Sequence, residues 1–410
     1  MATLFKTLKE DWSISATVAG FLAVLISYSE PLIIFFQAAQ QAQVSPTMMI
    51  SWIWGSSIGA AVAGIFLSIK FKVPVITAWS APGTALLVTL FPNISLNEAV
   101  AAYITSALVI FLIGISGYFD KLLKWIPQSV AAGMMAGILF QFGLGLFSAT
   151  NSMPIIVFSM LFVFLVAKRI SPRYSMLWVL LSGVALSFGL GEMNAVSLDF
   201  QLAIPQFISP EWTWHSTLNL ALPLILVSLT GQFLPGMAIM KLSGYDMPAK
   251  PIITTTSIVS LAVACVGGIT IVLASITAAL CMGKDAHELK EKRYIAGVAN
   301  GIFYILGGLF AGSIVLLFSL LPKELVAALA GLALLGAIST NIAVAMKDES
   351  QRDSALITFL ATASGMHFLG LSSVFWGIVI GLTAHLILTK RSPDVSALAS
   401  TPSSNPSSKS

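Results

Sequence analysis

Long apolar runs, separated by short polar stretches, make up almost the whole chain from about residue 14 to residue 389. Most of these runs are long enough for a helix that crosses a bilayer core of about 30 Å. The pattern predicts an all-α polytopic membrane protein with fourteen transmembrane segments. We number the segments 1 to 14 in chain order: 14–39, 47–69, 75–91, 97–119, 122–147, 153–167, 176–191, 216–240, 251–266, 269–283, 294–321, 324–346, 354–365 and 369–389.

Segment 3 is apolar, but it is interrupted where a plain spanning helix would be continuous. Pro74 removes a backbone donor, the β-branched run 75–77 follows it, and Pro82-Gly83 comes a few residues later. The pattern predicts a half-helix with Ser80 or Ala81 as its N-cap and the proline in its first turn. Its roughly ten residues span about 15 Å, half of the bilayer core, so its N-terminus should lie near the midplane.

Segment 10, at the corresponding place in the second half, follows the same plan. A β-branched run from 269 to 272 gives way to Ser275 in the cap position and Thr277 in the first turn of a short helix. Interrupted segments at matching positions indicate an inverted-repeat transporter, in which half-helix N-termini converge on an anionic substrate. Two ordinary helices, kinked by proline and packed through glycine, are the alternative interpretation.

The positive charges support the count of fourteen segments. If the N-terminus is cytoplasmic, twenty Lys and Arg residues fall on the cytoplasmic side and only Lys323 falls outside. Both termini are then cytoplasmic. The loop 192–215 separates seven segments from seven, and because seven is odd the second half is inserted upside down relative to the first.

Composition narrows the function classes. Hydrophobic residues make up 57% of the chain and charged residues 9%, which excludes an ordinary soluble domain. The net charge of +4 does not indicate nucleic-acid binding, because the basic residues lie in short loops. We find no metal-ligand spacing, phosphate-binding glycine loop or nucleophile elbow, so we expect no metal, no cofactor and no enzyme activity.

Glu30 is the only charged residue inside an apolar run away from its first and last few residues. An ionised carboxylate at the bilayer centre costs several kcal/mol unless it is paired, solvated or protonated, so such a residue is a functional candidate. Pro31 follows it and would loosen the helix. We hypothesise that Glu30 is the proton-coupling or substrate-orienting group; a structural carboxylate that ties neighbouring helices is the alternative.

Segment 8, the repeat partner of segment 1, has a polar centre. Thr230 and Gln232 lie in it, and Pro235-Gly236 follows as a predicted break. The Gln232 amide donates and accepts, which suits a neutral or anionic ligand, although it could instead bridge two helices. Phe233 and the ring of Tyr28 in segment 1 could stack on an aromatic ligand or pack in the core.

At the two breaks, small and hydroxyl residues would present N–H groups and hydroxyls to a carboxylate. These predicted substrate-binding residues are Ser80, Ala81, Gly83, Thr84, Ser275, Ile276 and Thr277. No Lys or Arg lies at membrane depth in the predicted topology. A monoanion with an apolar body therefore fits better than a highly charged substrate such as phosphate.

Three stretches resemble the benzoate/proton symporters of bacteria: PVITAWSAPGTALL in segment 3, SEP in segment 1 and QFLPGMAIMKLSGYDMP at the end of segment 8. The resemblance implies the seven-plus-seven inverted repeat shared with nucleobase and sulfate-type anion transporters. It implies a core domain, 14–119 and 216–321, and a gate domain, 120–191 and 322–389. The remainder is a cytoplasmic N-terminus 1–13, an external loop 192–215 and a disordered cytoplasmic tail 390–410.

The resemblance further implies a secondary transporter of the bacterial inner membrane that imports benzoate or a similar aromatic monocarboxylate with protons. An elevator-type alternating-access movement, proton uptake by Glu30 and a homodimer through the gate domain are expected with it. A nucleobase or other small-anion transporter is the alternative, and an anion channel is less favoured. Nucleobase transporters typically carry a carboxylate in segment 8, where this chain has Gln232 and no acid.

Overall fold

The computed structural model describes residues 2–29, 31–91, 93–123, 125–192 and 202–388, which form twenty α-helices and two short strands. The first half contains α1 Ala2–Asp11, α2 Ile14–Ser29, α3 Pro31–Gln41, α4 Pro46–Phe71, β1 Thr77–Trp79, α5 Ala81–Leu90, α6 Leu96–Ser116, α7 Phe119–Leu123, α8 Gln128–Ser148, α9 Pro154–Ile170 and α10 Ser175–Gly189. The second half contains α11 Trp214–Ser216, α12 Leu222–Ser228, α13 Leu234–Leu242, α14 Ala249–Ala264, β2 Ile271–Leu273, α15 Ile276–Met282, α16 Tyr294–Leu309, α17 Ala311–Ser319, α18 Lys323–Ala345, α19 Arg352–Ala363 and α20 Ser373–Leu388. The predicted disordered tail lies outside the described residues.

Within the described residues, six helical stretches are long and apolar enough to cross a membrane. A seventh is added if the bent pair Lys290–Leu309 and Ala311–Ser319, which turns by 65°, counts as one span. Other predicted segments correspond to shorter helices such as α20, or to the half-helices α5 and α15. The chain is a multi-pass membrane protein. It has fewer full-length helices than apolar runs, because a short helix can be covered by its neighbours.

The helices pack into two bundles around a large apolar core, and a small separate apolar cluster is formed by Ala132, Ala345 and Ala355. The strand-bearing bundle consists of α2–α6 and α11–α17, and its most extensive contacts join α4 to α16 and α6 to α14. The second bundle consists of α8–α10 and α18–α20, and α8 lies at its centre against α18 and α19.

Helices α11, α12 and α13 follow one another without a loop. The hydrogen-bond pattern widens to a π-helix at Thr217–Ala221 and again at Leu229–Phe233. The predicted break at Pro235 is therefore wrong, since Leu234–Leu242 continues as helix. The π turn lies just before the proline, where a missing N–H disturbs the regular ladder.

An extended stretch, 202–213, ties the two halves of the chain together. The Gln206 N–H donates to Ser51 Oγ in α4 at 2.7 Å. Two residues later, the Ile208 N–H donates at 2.7 Å to the carbonyl of Cys265, just after α14. Because α4 belongs to the first half and α14 to the second, this stretch holds both halves in one bundle.

Candidate functional site

The two strands pair in antiparallel fashion inside the strand-bearing bundle. Thr77 pairs with Leu273 and Trp79 with Ile271. Hydrogen bonds from Ser80 N to Thr270 O at 3.0 Å and from Ala274 N to Ile76 O at 2.9 Å extend the pairing at both ends. Because the strands are antiparallel, α5 and α15 leave the pair in opposite directions, with both N-termini beside the strands.

The first break has the predicted cap. Helix α5 begins at Ala81, and Ser80 is its N-cap, with Ser80 Oγ accepting a hydrogen bond from the Gly83 N–H at 3.0 Å. A Cβ on Gly83 would lie 2.6 Å from Leu224 Cδ1 and 2.9 Å from Ser80 Oγ, so a larger residue would require the Leu224 side chain of α12 to move. The Ser80 hydroxyl is completely buried and is used by its own helix.

The second break is built differently. Ser275 is at the N-cap position of α15, but its side chain makes no capping hydrogen bond. Thr277 is nearly buried, and its hydroxyl accepts a hydrogen bond from Ser27 of α2 at 3.5 Å. At the other end of the helix, the Arg293 guanidinium donates at 2.8 Å to the carbonyl of Met282, where a cation also complements the helix dipole.

A cavity of about 720 Å³ separates the two bundles at these breaks. Its volume lies within the usual range of small-molecule sites. The strand-bearing bundle contributes residues from α2, both breaks and the π turn, and the second bundle contributes residues from α8, α9, α10 and α18. The cavity extends to one end of the protein, since Gln128 begins α8, Lys168 lies in the last turn of α9 and Val344 is near the end of α18.

Four of the predicted site residues line the cavity: Ala81, Gln232, Ser275 and Thr277. They come from segments 3, 8 and 10, so the fold brings together the segments that the sequence singled out. The side chain of Ile276 and the whole of Glu30, the predicted proton-coupling residue, lie outside the described residues. Pro31, the neighbour of Glu30, lines the cavity.

The other predicted site residues, Tyr28, Ser80, Gly83, Thr84 and Phe233, are not among those that line the cavity. Phe233 is completely buried in the packed interior. The Tyr28 hydroxyl is hydrogen-bonded to Ser57, and its ring packs edge-on against Trp79 at 5.2 Å between centroids. Thr84 donates to the Ser80 carbonyl at 2.9 Å. These residues lie behind the cavity wall and shape it.

Sequence reasoning missed several residues that line the cavity, above all Trp79, Phe164 and Lys168. Trp79 could have been found, since it stands directly before the predicted break of segment 3. Phe164 lies in segment 6 and Lys168 directly follows it. This segment has no break and no polar centre, so nothing in its pattern points to a site. In the part of the chain that the structure describes, no cluster of three or more His, Cys, Asp or Glu side chains could hold a metal ion.

Comparison with known proteins assigns the family. The model of the family described as "Benzoate membrane transport protein" matches residues 10–387. The chain belongs to this family. It is a family of transporters and not of enzymes.

Two relatives cover nearly the whole chain. The chain is 79% identical over 390 residues to the benzoate membrane transport protein of Acinetobacter baylyi, an alignment that covers 95% of this chain and 99% of the relative. It is 38% identical over 371 residues to the inner membrane protein YdcO of Escherichia coli, with 90% and 95% covered.

Solved structures show the same fold at low sequence identity. SLC26A9 matches with a TM-score of 0.63 at 14% identity, over 90% of this chain and 65% of that chain. The transmembrane domain of the cyanobacterial bicarbonate transporter BicA matches with a TM-score of 0.58 at 13% identity, over 92% and 98%. This chain therefore shares its fold with these transporters.

Proposed function

We propose that this protein is a proton-coupled secondary transporter that imports benzoate or a similar aromatic monocarboxylate. The observation that carries the proposal is the cavity at the two breaks, where helix N-termini meet a largely apolar wall. An aromatic monoanion matches this cavity, because its charged end can face the helix N-termini and its apolar ring can face the apolar wall. The identity of 79% with a benzoate membrane transport protein supports this substrate class.

In this proposal the carboxylate lies at the N-terminal ends of α5 and α15. The N–H groups of a first helical turn and the partial positive charge of the helix end favour an anion. The hydroxyls of Ser275 and Thr277 and the amide of Gln232 offer further donors, and all three residues line the cavity. The aromatic ring packs against Trp79 and Phe164, two aromatic residues that line the cavity.

The proposal includes the seven-plus-seven inverted repeat of fourteen segments. In such a repeat, segment 2 is equivalent to segment 9, and segment 11 is equivalent to segment 4. The contact between α4 (segment 2) and α16 (segment 11) is then equivalent to the contact between α14 (segment 9) and α6 (segment 4). Both pairs pack extensively in the strand-bearing bundle. Exchange of the two halves leaves the pairing of β1 (segment 3) with β2 (segment 10) unchanged. These contacts support a two-fold relation between the halves.

The strand-bearing bundle corresponds to the proposed core domain, and the second bundle to the gate domain. Elevator-type movement of the core domain against the gate domain would alternate access, and the gate domain would form a homodimer. With both termini cytoplasmic in the inner membrane, the cavity opens to the cytoplasm in this conformation.

Import of an anion requires a driving force. A monoanion that enters a cell with a negative interior moves against about 2.3 kcal/mol per 100 mV. Cotransport of at least one proton removes this electrical penalty. We assign the proton to Glu30, whose neighbour Pro31 lines the cavity.

Uptake of labelled benzoate into proteoliposomes with an imposed inward proton gradient tests the proposal. We expect gradient-dependent uptake by the native protein and by the matched control Glu291→Gln, whose carboxylate is in an exposed loop. Glu30→Gln should lose the dependence on the gradient. If it retains this dependence, Glu30 is not the coupling group; if the native protein takes up no benzoate, the substrate assignment fails. Counterflow of labelled benzoate then separates a carrier, which exchanges substrate, from a channel.

A further inference from the structure

Lys168 is the only charged side chain among the described residues that line the cavity. It lies in the last turn of α9, on the second bundle, whereas both half-helix N-termini belong to the strand-bearing bundle. The two walls of the cavity therefore carry different sources of positive potential. One wall has helix ends, and the other has an ammonium group.

The exposed Lys168 side chain lies beside an aromatic residue of the cavity wall. Its Nζ lies 5.1 Å from the centroid of the Phe164 ring, one turn earlier on the same helix face. Phe164 is only 6% exposed and also lines the cavity. Within the described residues, no carboxylate lies in salt-bridge distance of Lys168. Its charge is therefore not neutralised by an ion pair there.

We propose that Lys168 is a specificity-determining residue that attracts the monoanionic substrate to this open end of the cavity. The proposal rests on the function proposed above and extends it to the gate domain. A cation beside a cleft with low-dielectric walls raises the local concentration of anions, and salt weakens this effect. In an alternating-access movement, Lys168 stays with the second bundle while the breaks move, so it acts only in the conformation described here.

Arg169 provides a matched control. It follows Lys168 in the last turn of α9, is exposed and does not line the cavity. A general role of positive charge in membrane orientation or at a helix C-terminus would apply to both residues equally. A role in attracting substrate applies to Lys168 alone.

The test is calorimetric titration of benzoate into the purified full-length protein at about 0.02 M and about 0.5 M salt. We expect Lys168→Gln to weaken binding about three- to tenfold at low salt and to remove most of the salt dependence. Lys168→Arg should bind like the native protein, Lys168→Glu should bind more weakly than Lys168→Gln, and Arg169→Gln should match the native protein. This order follows charge and would not arise from a role in packing.

Native affinity and native salt dependence in a folded Lys168→Gln would overturn the role of Lys168 and leave the proposed function intact. Equal losses in Lys168→Gln and Arg169→Gln would also overturn it, because the effect would then be general. If the native protein neither binds nor transports benzoate, the proposed function fails, and the role of Lys168 fails with it.

Discussion

The two breaks lie side by side, each directly after one strand of the β1–β2 pair, but different chemistry stabilises them. The first is preceded by Pro74, and its half-helix α5 is capped by the buried Ser80. The second is preceded by Gly267 and Gly268, and its shorter half-helix α15 has no side-chain cap. The same arrangement of a strand followed by a short helix can thus be formed by different local sequences. The two stretches accordingly share few identical residues.

The two breaks also have different roles at the site. At the first break the capping hydroxyl is used by its own helix, so the break is complete without a ligand. At the second break Ser275 lines the cavity and caps nothing, and the helix is held instead at its C-terminal end by Arg293. We therefore expect substitutions at the first break to affect stability, and substitutions at the start of α15 to affect substrate binding.

Replacement of Gly267 by alanine should have the largest effect. Gly267 has φ +81°, and a Cβ there would lie 2.0 Å from Cδ1 of Trp52, whose ring stacks on Phe91 at the end of α5. Strain and overpacking together should cost about 2 to 5 kcal/mol of folding free energy. Loss of monodisperse protein or a lower melting temperature in detergent would show this.

Gly336→Ala is the control for Gly267→Ala. Among the described residues, nothing apart from the backbone of its own helix and its chain neighbours lies within 4 Å of a Cβ at Gly336, in the interior of α18. This variant should be as stable as the native protein or slightly more stable. Equal stability of Gly267→Ala and Gly336→Ala would contradict the prediction that a side chain at position 267 strains and overpacks the turn before β2.

Arg293→Ala should have the next largest effect. The guanidinium is 8% exposed and donates to the carbonyls of Met282, His287 and Glu288 at 2.8, 2.7 and 3.4 Å. Its removal leaves the buried Met282 carbonyl and two partly buried carbonyls without this donor, which should cost about 2 to 3 kcal/mol. Arg352→Ala is the control, since this arginine also donates to a carbonyl but is exposed, and it should lose less than about 1 kcal/mol. Thermal unfolding of both variants measures the difference.

Substitutions of Ser80 and Ser275 test this difference in role directly. Ser80→Ala removes a capping hydrogen bond and should lower stability by about 1 kcal/mol. Ser275→Ala removes no cap, so its stability should stay within about 0.5 kcal/mol of the native value while its KM for benzoate rises about fivefold. Unfolding and uptake are measured on both variants. A stability loss in Ser275→Ala as large as that in Ser80→Ala would show that the two breaks are equivalent after all.

The sequence predicted what depends on local chemistry. The short helix after the break and its cap at Ser80, one of the two predicted candidates, follow from residue types within a few positions of the break. The missing cap bond at Ser275 could not be predicted, because it depends on the backbone angles of that one residue, φ −92° and ψ −56°.

Long-range packing was beyond the sequence. The sequence left open whether Tyr28 stacks on a ligand or packs in the core. In the structure its hydroxyl is hydrogen-bonded to Ser57, and a Cβ at Gly307 would lie only 2.5 Å from that hydroxyl. Small residues on two other helices thus decide which way the ring points. The contribution of α9 to the cavity likewise follows only from how the two bundles meet, and the apolar periodicity of the sequence does not indicate it.

The smallest expected effect concerns the cluster that holds α16 just beyond Arg293. Asp11, at the end of α1, accepts a hydrogen bond from Tyr294 at 2.8 Å, and its carboxylate lies 3.3 Å from Lys292 and 3.7 Å from Lys72. Burial by itself would raise the pKa of Asp11, but the hydrogen bonds from Tyr294 and Lys292 and the charges of both lysines outweigh it and lower that pKa. A carboxylate with a lowered pKa stabilises the fold above its unfolded pKa of about 3.9, and this stabilisation is lost as the pH falls through the folded value.

Asp11→Asn should therefore be less stable than the native protein by about 0.5 to 1 kcal/mol at neutral pH, since the lysines are partly exposed. The difference should shrink below about pH 4, where the native carboxyl is increasingly protonated, and should also shrink at high salt. Melting temperatures of both proteins across pH and salt measure it. A difference that persists unchanged at low pH would mean that Asp11 holds α16 by packing and hydrogen bonding, independently of its charge.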